Sequence, residues 1–196
     1  MKAEYALSHR SALYRITFEA DKPVYIIINS RNGSIHVGEN FISGHQQLSD
    51  NTNVYVYIEP QEKPVSTGVL ENGVIEASKD NANGTNACAA WRFADGTTTI
   101  NLRYGISFIS EEQAEKNLRS ELGDYDINKL AETGRRIWNE ALGRIKVEGG
   151  TENDKTVLYS SFYRTFERPI CMSEDGGLYF SAFDGKVHND NGIPFY

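Results

Sequence analysis

Short runs in which apolar and polar side chains alternate dominate the first hundred or so residues. In "ALYRITFEA" Tyr14, Ile16 and Phe18 alternate with Arg15 and Thr17, the period of two that gives a strand one buried and one wetter face. "VYIII", Val24 to Ile28, is apolar on both faces and is expected at the centre of a sheet. In "NVYVYIEP" Val54, Val56 and Ile58 face one way and Tyr55, Tyr57 and Glu59 the other, with Pro60 closing the run. "NACAAWRF" and "TTTINLRYGISFI" are joined by "ADGT", whose Asp95-Gly96 pair signals a hairpin because glycine tolerates positive φ. In the second of these runs Ile100, Leu102, Tyr104, Ile106 and Phe108 share a face. The polar stretch "SKDNANGTN", Ser78 to Asn86, reads as a loop between strands. Strands at this spacing without helices between them predict an antiparallel sandwich.

At Ser110 the apolar period lengthens to three and four. "SEEQAEKNLRSEL" offers Ser110 as N-cap and Gln113 at the third helical position, a capping box, with acidic residues in the first turn. Ala114, Leu118 and Leu122 share a face, and Gly123 ends the helix. A second helix starts with Asp124 or Asp126 as cap and carries a stripe from Ile127 through Leu130, Ile137, Trp138 and Leu142 to Ile145, in which Trp138 reads as packing. A third, capped by Thr151 or Asn153, runs to Pro169 with a broad apolar stripe of Leu158, Phe162 and Phe166, a face wide enough to need more than one partner surface.

Composition narrows the chemistry. A net charge of -7, with Lys and Arg scattered, provides no basic stripe, which argues against nucleic acid and anionic membrane surfaces as partners and favours a neutral or cationic ligand. The longest aliphatic run, Val24 to Ile28, is too short to span a bilayer, and the first twenty residues lack the apolar core of a signal peptide. Cys88 and Cys171 stand far apart in no metal-binding or redox spacing, and are expected as two buried thiols, with a long-range disulfide as the alternative. The eleven Tyr, nine Phe and two Trp suit either a strand-rich core or the flat faces that receive sugar rings.

No nucleophile elbow, metalloprotease, phosphate-loop or dinucleotide motif is present, and His9, His36, His45 and His188 lack ligand spacing. The most site-like stretch is the tail, "LYFSAFDGKVHNDNGIPFY", where Asp184 lies between aromatics and a glycine with His188 four residues on. Asp184 has two readings: a turn residue whose carboxylate bonds local amides, or a ligand-binding acid.

Three stretches carry a family resemblance: "YGISFISEEQAEKNL" (Tyr104 to Leu118), "RRIWNEALGRIKVEGGTENDKTVLYSSFYRTFERP" (Arg135 to Pro169) and "DGGLYFSAFDGKVH" (Asp175 to His188). In content, order and spacing they resemble glycoside hydrolase family 92, the calcium-dependent exo-acting α-mannosidases. Weaker similarity reaches back to "EYALSHRSALYRITF". The resemblance implies an α+β fold: an antiparallel β-sandwich portion over residues 1–109, linker helices over 110–150, and over 151–196 the first helix and irregular tail of a helical catalytic domain. It implies inverting hydrolysis of terminal α-mannose, α-1,2-linked in type, from mannose-containing glycans, in a periplasmic, cell-surface or secreted setting.

The family's Trp-Asp-Thr-Tyr-Arg signature would begin just after Tyr196, and its general acid, its base and its calcium-binding carboxylates lie further downstream. The chain is therefore expected to be the middle of a larger enzyme, inactive alone. Neither a catalytic residue nor a calcium ligand is assigned here, and no cofactor is expected in this chain by itself. Asp184 and His188 are the expected substrate-binding residues. Some apolar faces are expected to be uncovered or covered by another copy, with self-association or association with the missing catalytic portion as the partner expectation. The alternative reading is a non-catalytic carbohydrate-binding or assembly module.

Overall fold

In the computed structural model residues 1–19 and 22–196 are described. Eleven strands come first: β1 (Lys2–Leu7), β2 (Ser11–Thr17), β3 (Tyr25–Ser30), β4 (Gly33–Val37), β5 (Ile42–Ser49), β6 (Thr52–Pro60), β7 (Ser66–Glu71), β8 (Val74–Glu76), β9 (Asn81–Gly84), β10 (Ala87–Arg92) and β11 (Thr99–Ser107). Three helices follow, α1 (Glu111–Glu121), α2 (Ile127–Leu142) and α3 (Glu152–Arg164), and then the strands β12 (Leu178–Ser181) and β13 (Lys186–Asn189). The fold is α+β. A seven-stranded antiparallel sheet, ordered β1-β2-β11-β6-β5-β4-β9, faces a four-stranded one, ordered β3-β10-β7-β8.

The alternation in the strand sequences decides what lies between and behind these sheets. Inward side chains such as Ile42, Val69, Trp91, Phe93, Ile100 and Leu102 form one core between the two sheets. The opposite faces of β2 and β6 turn Leu13 and Tyr57 to α1, whose Ala114, Leu118 and Leu122 complete a second core with Ile127. In β6, Val56 and Ile58 thus look into the sandwich while Tyr57 and Glu59 are buried under a helix. Burial raises the Tyr57 phenol to about 12, with the nearby Glu115 and Glu59 charges pushing the same way. The Glu59 carboxylate lies between Arg103 of β11 and Arg119 of α1, with Arg119 Nη2 donating to Glu59 Oε2 at 2.9 Å. That pairing raises the Arg119 guanidinium above its already high ordinary range.

Several expectations need correction. Val24 to Ile28 does not form a central strand: β3 ends the four-stranded sheet, pairs with β10, and leaves Ile27 58% exposed. Apolarity on both faces marks contact potential and does not choose a place in the sheet. The free side of β3 borders a cleft of about 520 Å³ between the sheets, lined by Tyr14, Ile28, Val56, Ile58 and Tyr104. The Asp95-Gly96 turn forms, with Gly96 at φ 82° and the Thr97 amide donating to the Ala94 carbonyl at 3.2 Å, yet β10 and β11 belong to different sheets. Turn chemistry sets a local reversal, whereas the buried Trp91 and Phe93 hold β10 in the other layer.

Within the polar stretch read as a loop, Asn81–Gly84 pairs with β4 as an edge strand, because a backbone ladder needs no apolar side chains at an edge. Ser110 caps α1 by accepting from the Gln113 amide at 3.1 Å, but the Gln113 side chain does not return the bond. It donates instead to Asn117 and to the Asp175 carbonyl, so the capping box is half formed. The complete box is at α3, between Thr151 and Asp154, and α2 is capped by Asp126. The tail is not irregular, since β12 and β13 form a hairpin. Both cysteines are free thiols, Cys88 half-buried and Cys171 exposed. Trp138 packs against Tyr163 at 4.5 Å and Phe166 at 5.6 Å, while 37% of it remains exposed. Among the described residues no helix is long and apolar enough to cross a membrane.

The approach of α1 to β11 requires a glycine. A Cβ on Gly105 would overlap the Ala114 carbonyl oxygen and press on Leu118 Cβ, and the oxygen belongs to helix backbone that cannot swing aside. Gly105→Ala should therefore cost about 2 kcal/mol through overpacking. A lowered urea midpoint is the expected result, and an unchanged midpoint would show that the helix can move away freely.

Candidate functional site

The tail hairpin gathers the residues singled out in the sequence, and its root is built before its tip. Glu174 and Asp175 precede it. The Glu174 amide donates to the Leu178 carbonyl at 2.7 Å and its carbonyl accepts from Gly177 at 3.0 Å, which closes the approach to β12. The Glu174 side chain is buried and accepts from the Ser107 hydroxyl at 2.6 Å, the Phe108 amide at 2.8 Å and Asn117 Nδ2 at 2.8 Å. Asn117 Oδ1 accepts from the Asp175 amide at 3.2 Å, and Gln113 Nε2 donates to the Asp175 carbonyl at 2.8 Å. Every buried polar atom in this group meets a complement, the condition for polar groups to stay out of water without penalty.

From this root β12 pairs with β13 in a register that sets Tyr179 opposite His188 and Phe180 opposite Val187. The connecting residues 182–185 carry Asp184, and Gly185 takes the positive φ of 69° that the turn needs. Asp184 Oδ1 accepts from the Lys186 amide at 3.2 Å, and its Oδ2 lies 2.9 Å from His188 Nε2. An ionised carboxylate only accepts, so Nε2 is the ring nitrogen that carries the proton in this contact. The turn reading of Asp184 and its partnership with His188 therefore coexist. Burial pushes the Asp184 carboxyl up, but the Ser181 hydroxyl, His188 and the Lys186 amide together outweigh it and hold the group below its ordinary 3.8.

Three rings line up beside this pair. Tyr179 stacks on His188 at 5.5 Å and on Phe195 at 4.1 Å with only 14° between the latter planes. Phe195 is fastened by its amide to Ser173 Oγ at 2.9 Å and by its carbonyl to the Met172 amide at 2.7 Å. The result is a partly exposed surface with a carboxylate, an imidazole and flat aromatic faces, side chains whose chemistry suits hydroxyl groups and flat apolar rings. Hydrolysis of a glycosidic bond uses two carboxyl groups flanking it, and the immediate partner of Asp184 is an imidazole. Among the described residues no three His, Cys, Asp or Glu side chains converge on one point.

Tyr179, Phe195 and the Glu174 cluster went unnoticed in the sequence. One signal was available: Gln113 and Asn117 lie four apart next to Ala114 and Leu118, which sets polar side chains on a helix face that must be buried.

The fold is thus a two-sheet sandwich followed by three helices and a short hairpin. Residues 1–107 match the model of the glycosyl hydrolase family 92 N-terminal domain, and residues 113–196 that of the glycosyl hydrolase family 92 catalytic domain. The chain belongs to glycosyl hydrolase family 92. It is 26% identical to the family 92 inverting mannosidase of Bacteroides thetaiotaomicron VPI-5482, with a TM-score of 0.86 over 95% of this chain and 27% of that one. A family 92 α-mannosidase of Bacteroides thetaiotaomicron, 19% identical with a TM-score of 0.85 over 99% of this chain and 29% of its own, shares the fold. A protein of Arthroderma benhamiae described as an uncharacterized secreted glycosidase is 31% identical over 102 residues, which is 46% of this chain and 13% of that one. The chain thus spans less than a third of the length of these relatives.

Because Asp184 is held below 3.8, its carboxylate supports the hairpin fully above that pH, and the support is lost as pH falls through the lower value in the fold. In an acid titration followed by NMR, the Lys186 amide and the His188 ring should shift together with a midpoint below 3.8. Asp184→Asn should remove that shared step. A wild-type midpoint at or above 3.8 would sink the assignment.

Proposed function

We propose that the chain forms the sandwich and the opening of the catalytic domain of a glycosidase that releases terminal α-mannose, α-1,2-linked in preference, from glycans with inversion. The observation that carries this reading is the matching of both family 92 domains in order along one chain. Mannose as substrate is supported by the relative at 26% identity, an inverting mannosidase. A location outside the cytoplasm, periplasmic, cell-surface or secreted, is supported by the relative described as a secreted glycosidase.

In this reading the Asp184–His188 hairpin is one wall of the sugar cleft. Asp184 orients His188, whose Nδ1 then meets a sugar hydroxyl, and the Tyr179–Phe195 stack stiffens the wall behind it. An inverting mechanism needs an acid and a base separated by roughly 6.5–9.5 Å to admit water. We assign that pair, and the calcium ion expected of the family, to residues outside this stretch. The length of the mannosidase relative, of which this chain covers 27%, supports this division.

A second reading, an assembly module, is favoured by the exposed apolar side of α2 and α3, where Ile137, Trp138, Val157, Leu158 and Tyr163 all meet solvent. Concentration-independent monomer mass in light scattering would count against it.

The main reading is tested by incubating the 196-residue polypeptide with α-1,2-mannobiose and calcium and by titrating mannose oligosaccharides in a calorimeter. The expected result is no mannose release together with saturable binding that weakens about fivefold in His188→Ala, the loss of one neutral hydrogen bond, and in Asp184→Ala, the loss of the group that orients it. Robust turnover by this polypeptide would overturn the division of labour. Absence of heat at millimolar sugar would overturn the cleft wall.

A further inference from the structure

The donors that meet the Glu174 carboxylate come from separate parts of the molecule. Ser107 ends β11, Phe108 follows it in the sandwich, and Asn117 lies in the middle of α1. The backbone of Glu174 meanwhile belongs to the hairpin through its bonds with Leu178 and Gly177. One side chain therefore ties the hairpin to the last strand of the sandwich and to the helix packed on it. The strands β12 and β13 pack chiefly on each other, which leaves the root to set their direction.

The chemistry of this root is one-sided. Ser107 Oγ already accepts from the Ile109 amide at 2.8 Å, and its own proton goes to Glu174. Asn117 Nδ2 is shared between Glu174 and the Ile106 carbonyl, at 2.8 Å each. Three donors face the two oxygens of Glu174, which suits a group that only accepts. A glutamine of the same shape has one accepting oxygen and must point its NH2 at a donor, so it loses a strut and gains a repulsive contact.

We propose that Glu174 is a positioning residue: it fixes the direction in which the Asp184–His188 hairpin leaves the sandwich, so that the N-terminal half of the molecule decides where this wall of the sugar cleft stands. The functional part rests on the cleft-wall reading above. The orientational part does not.

The test compares residual dipolar couplings of the wild-type chain and Glu174→Gln in the absence of sugar. In the wild type, couplings from 178–189 and from β2, β6 and β11 should fit one alignment tensor. In Glu174→Gln the sandwich should keep its own fit and the Asp184–His188 resonances should persist, while the hairpin couplings shrink by about half or more as the two bodies move independently. A single shared tensor at full magnitude in this variant would overturn the proposal. Should the variant unfold, Ser107→Ala removes one donor and keeps the carboxylate; it should give a smaller loss of the same kind, and an unchanged shared tensor there would overturn the proposal equally. Adding mannose oligosaccharides separates the two ideas. Released hairpin couplings with undiminished sugar affinity would keep the positioning role and discard the cleft wall, whereas weakened affinity alongside them would support both.

Discussion

The structure depends on covering both faces of the strands β6 and β11. One face closes the sandwich core around Ile100 and Leu102, and the other receives α1 through Tyr57 and the glycine at 105. A strand buried on both sides cannot shift register by one residue without exchanging its two sets of contacts. Here the exchange would bring Glu59 into the apolar layer and Val56 under the arginines. The helix is thus part of what makes the sheet unique. The positions of Ser107 and Asn117, and through them the hairpin, follow from the same contact.

Two buried carboxylates mark the two edges of this contact, and they are satisfied in different ways. Glu59 is matched by the guanidinium groups of Arg103 and Arg119, a charged arrangement whose attraction must offset the loss of hydration of all three. Glu174 is matched by a hydroxyl, a backbone amide and a carboxamide, none of them charged. The first ties the helix to the strands, where both partners come from within the packed unit. The second reaches into the chain beyond α3 and joins it to the sandwich and α1 through three uncharged donors.

Much of this architecture was legible in the sequence, and the failures share a cause. Alternation located the strands β2, β6 and β11, though the face expected to be wetter is covered by α1 at Leu13, Tyr57 and Glu59, and one of the expected cap residues starts each helix. What alternation does not specify is a partner. The apolar run at 24–28 fixed a strand without fixing it to the sheet edge, and Asp95-Gly96 fixed a turn without saying which sheet the chain would join next. The capping box at Ser110 failed because Gln113 found partners in Asn117 and Asp175, the latter 62 residues away. The meeting of Asp184 and His188 was within reach of sequence reasoning, since it spans one tight turn. The Glu174 cluster was not, because its members satisfy one another across separations of 57 and 67 residues that no local pattern records.

The edge strand β3 has a consequence for handling the protein. Its sequence Tyr25-Ile26-Ile27-Ile28 is β-branched and aromatic, carries no charge, and lies beside an apolar cleft with one row of backbone donors and acceptors unmatched by a neighbouring strand among the described residues. Proteins commonly guard such edges with lysine, proline or a bulge, because an open ladder recruits strands from other chains. Here β3, Tyr25–Ser30, carries no such guard, so its edge offers a ready template for a strand from another chain.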